Sequence, residues 1–307
     1  MGRYALRRLF HFIPVFFFAT FLVYALVFAM PGDPIRALAG EKPVNAATLE
    51  AMRERFNLND PLLIQYVKYI KGVFTGDLGT NFAQRPVWDI LSQRIPTTVR
   101  LAIVAFSYEA ILGVLAGVLA GLKRKGFMDM LVAVSTVSII SIPIFVLAYL
   151  AQYALGVQLG WFAVSYNANE WTSLILPALV LGSTSLAYIA RLTRTSLAET
   201  LRADYVRTAT AKGLSRRRVV GIHALRNSMI PVVTFLAVDI GSLMGGAIIT
   251  EGVFNVPGIG REVFAAIKSQ EGTVVVGIVV FLVVIFMVSN LIVDFLYAAL
   301  DPRIRYE

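Results

Sequence analysis

Ala203-Asp204-Tyr205-Val206-Arg207-Thr208-Ala209-Thr210-Ala211-Lys212-Gly213-Leu214 is a polar, basic stretch set between two long apolar segments. It reads as a short helix closed by a glycine, with Gly213 suited to the left-handed conformation that ends helices. Tyr205 and Ala209 share a face at i, i+4 spacing. A second short helix is expected next, with Ser215 as N-cap and Val219, Ile222 and His223 on adjacent faces. It should end at Asn227, before Pro231 opens the next apolar run. Two readings are open. An ordinary cytoplasmic loop is basic in any membrane protein. An ordered basic helix on one face of a membrane-buried chain is also what a docking element looks like.

Composition sets the class. Hydrophobic residues make up 57% of the chain and charged residues only 15%, too apolar a balance for a soluble globule of 307 residues. The formal charge of +9 is concentrated in loops on one side, so it is not a nucleic-acid footprint. With no cysteine there is no disulfide framework, thiol nucleophile or thiolate metal site. The two histidines, His11 and His223, are far apart and isolated from carboxylates, so no metal site is expected.

Six apolar runs are long enough to cross a bilayer as helices, over 9–30, 97–122, 128–155, 172–192, 229–253 and 273–299. The first follows Arg3, Arg7 and Arg8, exceeds a typical signal-peptide core and has no small-x-small cleavage site after it, so it reads as an uncleaved span. Pro14, Pro143 and Pro177 lie in or near the ends of these runs, and Pro143 should kink the third. One set of loops carries Arg3, Arg7, Arg8, Lys123, Arg124, Lys125 and the run from Arg191 to Arg226, with Arg303 and Arg305 in the tail. The opposite loop over 156–171 has no lysine or arginine, and the other has only Arg261 and Lys268. Both termini are therefore expected on the cytoplasmic side, with Trp161 and Trp171 near the outer interface. The expected organisation is a cytoplasmic N-terminus and first span (1–30), an external helical segment (31–95), a five-helix core (96–299) with a cytoplasmic loop (193–228), and a tail (300–307). In the external segment a helix is expected over 48–56 and Asn59-Asp60-Pro61 should lead into another over 62–74, with Gly76-Asp77-Leu78-Gly79 as a turn.

Catalytic signatures are missing. No G-x-x-x-x-G-K-[ST] loop occurs, and the nearest stretch, Gly121 to Gly126, continues with Phe127. No H-E-x-x-H or G-x-S-x-G pattern or close carboxylate pair supports a membrane enzyme. Ionisable residues inside spans are expensive and often functional. Glu109 and Asp239 qualify, with Glu251 at a span end and Asp294 near the inner face. Asp239 precedes Gly241-Ser242-Leu243-Met244-Gly245-Gly246, a flexible stretch suited to a polar pathway, so Glu109, Asp239, Ser242, Met244 and Glu251 are the pathway candidates. The same acids are what an ion-coupled carrier would need, and that alternative stays open. Gly113, Gly117 and Gly121 recur every four residues, as do Gly241 and Gly245; such spacing permits close helix approach, within the chain or against a second subunit.

The ordered motifs resemble a known family. Arg7-Arg8 with Pro31-Gly32-Asp33-Pro34, Gln65-Tyr66, Gly76-Asp77-Leu78-Gly79, Tyr205-Val206-Arg207-Thr208-Ala209, Ala211-Lys212-Gly213-Leu214, His223-Ala224-Leu225-Arg226-Asn227, Pro257-Gly258-Ile259-Gly260 and Asp301-Pro302-Arg303-Ile304-Arg305-Tyr306 are similar to the inner-membrane permeases of bacterial ATP-binding-cassette importers, in particular the first permease of dipeptide and oligopeptide systems. The general permease loop reads E-A-A, three residues, G, nine residues, I-x-L-P. Ala209, Gly213 and Leu225 fit it, while Arg207 and Thr208 replace the E and first A, and His223 and Arg226 replace the I and P. The resemblance implies an all-α membrane protein of type I importer architecture. It implies a coupling helix, with Asp204, Tyr205, Arg207, Thr208, Ala209, Lys212, Gly213 and Leu214, seated in a cytoplasmic ATPase subunit. It also implies a second homologous permease, two ATPase domains that bind ATP and Mg, an external substrate-binding protein, and no cofactor on this chain.

Overall fold

A computed structural model of the chain describes residues 2–29, 50, 53, 54, 57, 59–123 and 125–300. Pro31-Gly32-Asp33-Pro34, most of the helix expected over 48–56, Arg124, the side chain of Asp294 and the tail over 301–307 lie outside the described residues. In chain order the helices are α1 (Gly2–Phe28), α2 (Leu62–Phe74), α3 (Val87–Leu122), α4 (Phe127–Ser141), α5 (Ile144–Ala151), α6 (Ile175–Leu181), α7 (Ser183–Thr200), α8 (Asp204–Ala211), α9 (Arg216–Arg218), α10 (Arg226–Val253), α11 (Ile259–Lys268) and α12 (Gly272–Leu300). Wider π-helical turns extend α5 over Gln152–Gln158 and join α9 to α10 over Val219–Leu225, and a 3-10 turn, Trp171–Leu174, leads into α6. Among the described residues there is no strand, only one antiparallel bridge between Thr80 and Pro86.

Four helices are long and apolar enough to cross a membrane: Phe10–Phe28, Val87–Leu122, Arg216–Gly245 and Gly272–Ile292. Two bent pairs supply the others. Phe127–Ser141 with Ile144–Gln158 turns through 107°, and Trp171–Leu181 with Ser183–Thr200 through 55°. Taken as one span each, they complete the six expected from the sequence.

The chain divides into two units. The first takes in Met1–Thr98 and Pro257–Leu291. Its core joins Tyr24 of α1, Tyr66 and Ile70 of α2, and Val276 and Val280 of α12. Tyr66 is buried in this apolar cluster without losing its polar partners, because its hydroxyl donates to the Phe17 carbonyl at 3.0 Å and lies 2.8 Å from Thr20 Oγ1. Pro61 sits at the N-cap of α2, one position before the first helical residue. In the Gly76–Gly79 turn, Asp77 Oδ1 accepts from the Gly79 N–H at 2.8 Å, and Gly79 has φ +89°. A side chain there would start 2.4 Å from Thr273 Cγ2, so glycine answers both the conformation and the close approach.

Helix α3 starts at Val87, inside the stretch expected to be external up to 95. Val87, Ile90 and Leu91 are buried, so tertiary burial extends the helix outward past Pro96. α11 buries Ile259, Gly260, Val263 and Ala266, and its first N–H, on Ile259, donates to Thr98 Oγ1 at 2.8 Å. Arg94 and Glu262 form an ion pair at 3.0 Å.

The second unit takes in Val99–Val256. Two expectations are corrected there. The fourth run was expected to end at 192, yet α7 stays helical to Thr200, because Thr193 and Leu197 are fully buried against α3 and the next helix. The helix after Ser215 does not stop at Asn227: it passes through the π turn into α10, with Pro231 inside that helix. A proline interior to a membrane helix is tolerated where neighbours relieve the freed carbonyl, and the wide turn just before it is a looser form of the same ladder.

Candidate functional site

The basic stretch folds as α8, ending at Ala211. Its closure is a Schellman arrangement: the Gly213 N–H donates to the Thr210 carbonyl at 3.0 Å and the Leu214 N–H to the Ala209 carbonyl at 3.4 Å, with Gly213 at φ +77°. The buried face of α8 is Val206 with Ala209, at i, i+3. They pack with Leu197, Val219 and Ala224, and Leu214 lies against the same cluster. The expected Tyr205–Ala209 face is therefore split. Ala209 points inward, whereas Tyr205 is exposed and its hydroxyl accepts a hydrogen bond from Asn227 Nδ2 at 3.0 Å. The sequence could not foresee this, because Asn227 joins the site only when the second helix runs on through its expected end.

What α8 presents outward is Asp204, Tyr205, Arg207, Thr208 and Lys212, with the Gly213 backbone. Arg207 and Asp204 face each other at 3.6 Å with both side chains well exposed, a contact that adds little stability. Ser215 makes no side-chain cap; its carbonyl accepts from the Arg218 and Val219 N–H groups. Of the residues expected on adjacent faces, Val219 is buried and Ile222 is exposed. Behind the loop, Arg194 of α7 pairs with the buried Asp129 of α4, which also accepts from the Lys125 N–H at 2.8 Å. That tie was not expected from sequence. Its only signal is a carboxylate in the first turn of an apolar helix, where the helix dipole favours it.

The pathway candidates separate. Glu109 of α3 is fully buried and Asp239 of α10 nearly so, and both converge on the junction of α6 and α7. Ser185 Oγ donates to Asp239 Oδ1 at 3.0 Å. Gly182, the residue between the two helices, leaves room for Glu109: a side-chain carbon there would lie 2.8 Å from Glu109 Oε2 and 3.1 Å from the Ala105 carbonyl oxygen. Hydroxyls of Tyr108 and Ser183 donate to the carbonyls of Leu179 and Val180 at 2.9 and 2.7 Å, acceptors next to the bend. Glu251 is also fully buried, but it lies twelve residues beyond Asp239 on α10, roughly 18 Å along the axis. Met244 is buried and Ser242 is exposed, so the five candidates do not form one cluster. Gly182 and Ser185 were missed, although Gly182-Ser183-Thr184-Ser185 interrupts an apolar run as a break signal.

The glycines also separate. A side-chain carbon at Gly117 would start 2.5 Å from Thr193 Cβ and 2.6 Å from the Ala190 carbonyl oxygen, and at Gly113 2.9 Å from Ile189 Cγ2. At Gly121 it would meet the Arg194 carbonyl at 3.2 Å. The α3 stripe therefore serves packing against α7 within the chain. On α10, Gly241 is buried and Gly245 is exposed with open space beside it. In the first unit a cavity of ≈ 330 Å³ is lined by Tyr24, Gln65, Lys68, Tyr69 and Asp77 among others. Burial pushes the Tyr69 phenol above its ordinary range, with Tyr24 and Asp77 adding to the shift.

Comparison with known proteins matches this architecture along its whole length. Residues 113–306 match the family model described as binding-protein-dependent transport system inner membrane component, and residues 1–102 match the model of that system's N-terminal membrane component. The chain is 39% identical over 308 residues to the glutathione transport system permease protein GsiC of Escherichia coli strain K12, covering all of both chains. The proteins of the same name from Shigella dysenteriae serotype 1 and Shigella flexneri serotype 5b show the same identity and coverage.

Proposed function

From the premise that this chain belongs to the binding-protein-dependent transport system inner membrane components, and is a permease subunit of an ATP-driven importer, we propose that the outward face of α8 is the part its ATPase partner grips. As a member of that family it is a multi-pass inner-membrane protein, not an enzyme. It works with a partner permease, ATPase subunits that hydrolyse the nucleotide, and a binding protein. Energy therefore enters as ATP on partner subunits, which displaces the ion-coupled carrier reading.

The single observation behind the α8 assignment is the division of its faces. Val206 and Ala209 lock one side into the chain's own core, the glycine closure fixes the end, and Asp204, Tyr205, Arg207, Thr208 and Lys212 are left outward on a helix too short to stand alone. In this reading α8 sits in a cleft of one of two cytoplasmic ATPase domains, whose ATP and Mg sites close and push the helix. The basic loops and both termini face the cytosol. A second, homologous permease completes the pathway, and the open side of α10 at Gly245 suits a close helix neighbour. The cargo is a short peptide, glutathione included, by likeness to the relatives' named substrate.

The chain has no cysteine, so Thr208→Cys gives a unique crosslinking handle. The expected outcome is a crosslink from Cys at 208 to the ATPase subunit in intact cells; a handle labelled only from the external face would overturn the assignment. Gly213→Asp should leave the subunit in the membrane while uptake is lost, because an L-residue is strained at φ +77°. Ala209→Glu has a different cause of failure, since it buries a charge in the cluster behind α8. Uptake at wild-type level with either variant would count against the role.

A further inference from the structure

The cavity of ≈ 330 Å³ lies wholly within the first unit, where α1 ends and α12 begins, and it is large enough for a small organic ligand. One wall is aromatic. The Tyr24 ring lies 4.5 Å from that of Phe28 and 5.4 Å from that of Tyr69, centroid to centroid. Opposite charges in the lining are not equivalent. Lys68 Nζ is committed, donating to Asp60 Oδ2 and to Asn57 Oδ1 at 3.0 Å. Gln65 is committed too, since its Oε1 accepts from the Tyr24 hydroxyl at 3.4 Å and its Nε2 donates to the Asp60 carbonyl at 2.7 Å. Asp77 is different. Its Oδ1 accepts from the Gly79 N–H, and among the described residues no basic side chain pairs with it. The turn folds it back over α2: the Asp77 N–H donates to the Gly72 carbonyl at 2.9 Å, and Gly72 shares a helix face with Tyr69 at i, i+3. The Tyr69 hydroxyl is buried without a hydrogen-bond partner among the described residues. The cavity therefore combines one uncompensated negative charge, an aromatic wall and an orphaned phenol, with the neighbouring positive charge already neutralised.

We propose that this cavity binds a primary ammonium group carried by a small molecule, with Asp77 as its counter-ion and Tyr24, Tyr69 and Phe28 as the wall it rests against. An ammonium donates to a carboxylate and is attracted by aromatic rings, whereas an anion would meet Asp77 with no free cation to offset it. The amine is either free or the amino terminus of a short peptide. The inference does not depend on the permease reading.

The test is equilibrium binding to the assembled importer in lipid nanodiscs, without ATP or binding protein. The probes are benzylamine and dialanine, with benzyl alcohol and N-acetyl-dialanine as their counterparts lacking the ammonium. At least one amine should bind, and its counterpart should bind roughly tenfold more weakly. Binding of benzylamine alone assigns the site to free amines; binding of dialanine assigns it to peptide amino termini. Asp77→Asn keeps an acceptor for the Gly79 N–H, so the turn is retained while the charge is lost, and amine binding should fall roughly tenfold. Tyr69→Phe removes only the orphaned hydroxyl and should weaken binding about threefold. No binding of either amine, equal binding of the counterparts, or Asp77→Asn binding as tightly as wild type would each overturn the proposal. Because the wild-type comparison of amine with counterpart needs no variant, it decides alone if a variant fails to accumulate. Failure here leaves the Thr208→Cys crosslink untouched, and failure of that crosslink leaves this binding readable.

Discussion

The third and fourth spans are both broken, and for different reasons. The third turns through 107° between Ser141 and Ile144, where Ile142 is extended (φ −96°, ψ 125°) and Pro143 has ψ 138°. Proline forces the residue before it out of the helical region, so this break is written locally. The fourth turns through 55° at Gly182, whose φ of −83° and ψ of −2° demand no glycine. There the cause is crowding. Glu109, Tyr108 and the Ala105 carbonyl occupy the space that a side chain at 182 would need. The contrast separates a bend imposed by the backbone from a bend imposed by what packs around it. The buried Glu109 carboxyl sits at the second kind.

Substitutions can break or sharpen that contrast. The largest effect is expected at Gly117, outside both bends but in the contact that clamps the second half of the fourth span. Gly117→Leu drives a branched side chain into Thr193 and the Ala190 backbone, and should cost about 3 kcal/mol, read as a lower unfolding midpoint and reduced membrane abundance. Gly182→Ala should cost about 2 kcal/mol, since one of its close contacts is a backbone oxygen that cannot swing away. If Gly182→Ala is neutral, crowding is not what sets the fourth bend. Asp129→Asn weakens the tie from the third span's first helix to Arg194, a pair with one buried and one half-exposed partner; a loss of about 1 kcal/mol is expected in thermal unfolding. Pro143→Ala should be mildest, at about 0.5 kcal/mol. The turned segment is also held by Ala148, fully buried, and by Gln152 Nε2, which donates to the Val164 and Val253 carbonyls at 2.7 and 3.2 Å. A loss at Pro143 equal to that at Gly182 would erase the distinction.

Much of this was legible beforehand, for identifiable reasons. Apolar runs gave the spans because a bilayer demands length and hydrophobicity, and both are additive along the chain. Their ends were less readable. Helix α3 reaches back to Val87 and α7 forward to Thr200 because Val87, Leu91, Thr193 and Leu197 are buried by distant residues. The glycine closure of α8 was legible because Gly213 acts through its own φ. The inward turn of Ala209 was not, because it depends on Leu197, Val219 and Ala224 arriving from other elements.

Sequence alone determined the membrane class, the number of spans, the break at Pro143 and the placing of a short basic helix between the fourth and fifth spans, all properties carried by neighbouring residues. Only the tertiary structure decided which face of that helix is free, that the α3 glycines are used up against α7, and that Glu109 fills the space beside Gly182. Burial and pairing belong to groups far apart in the chain, and a linear pattern does not say which of them will share a few ångströms of space.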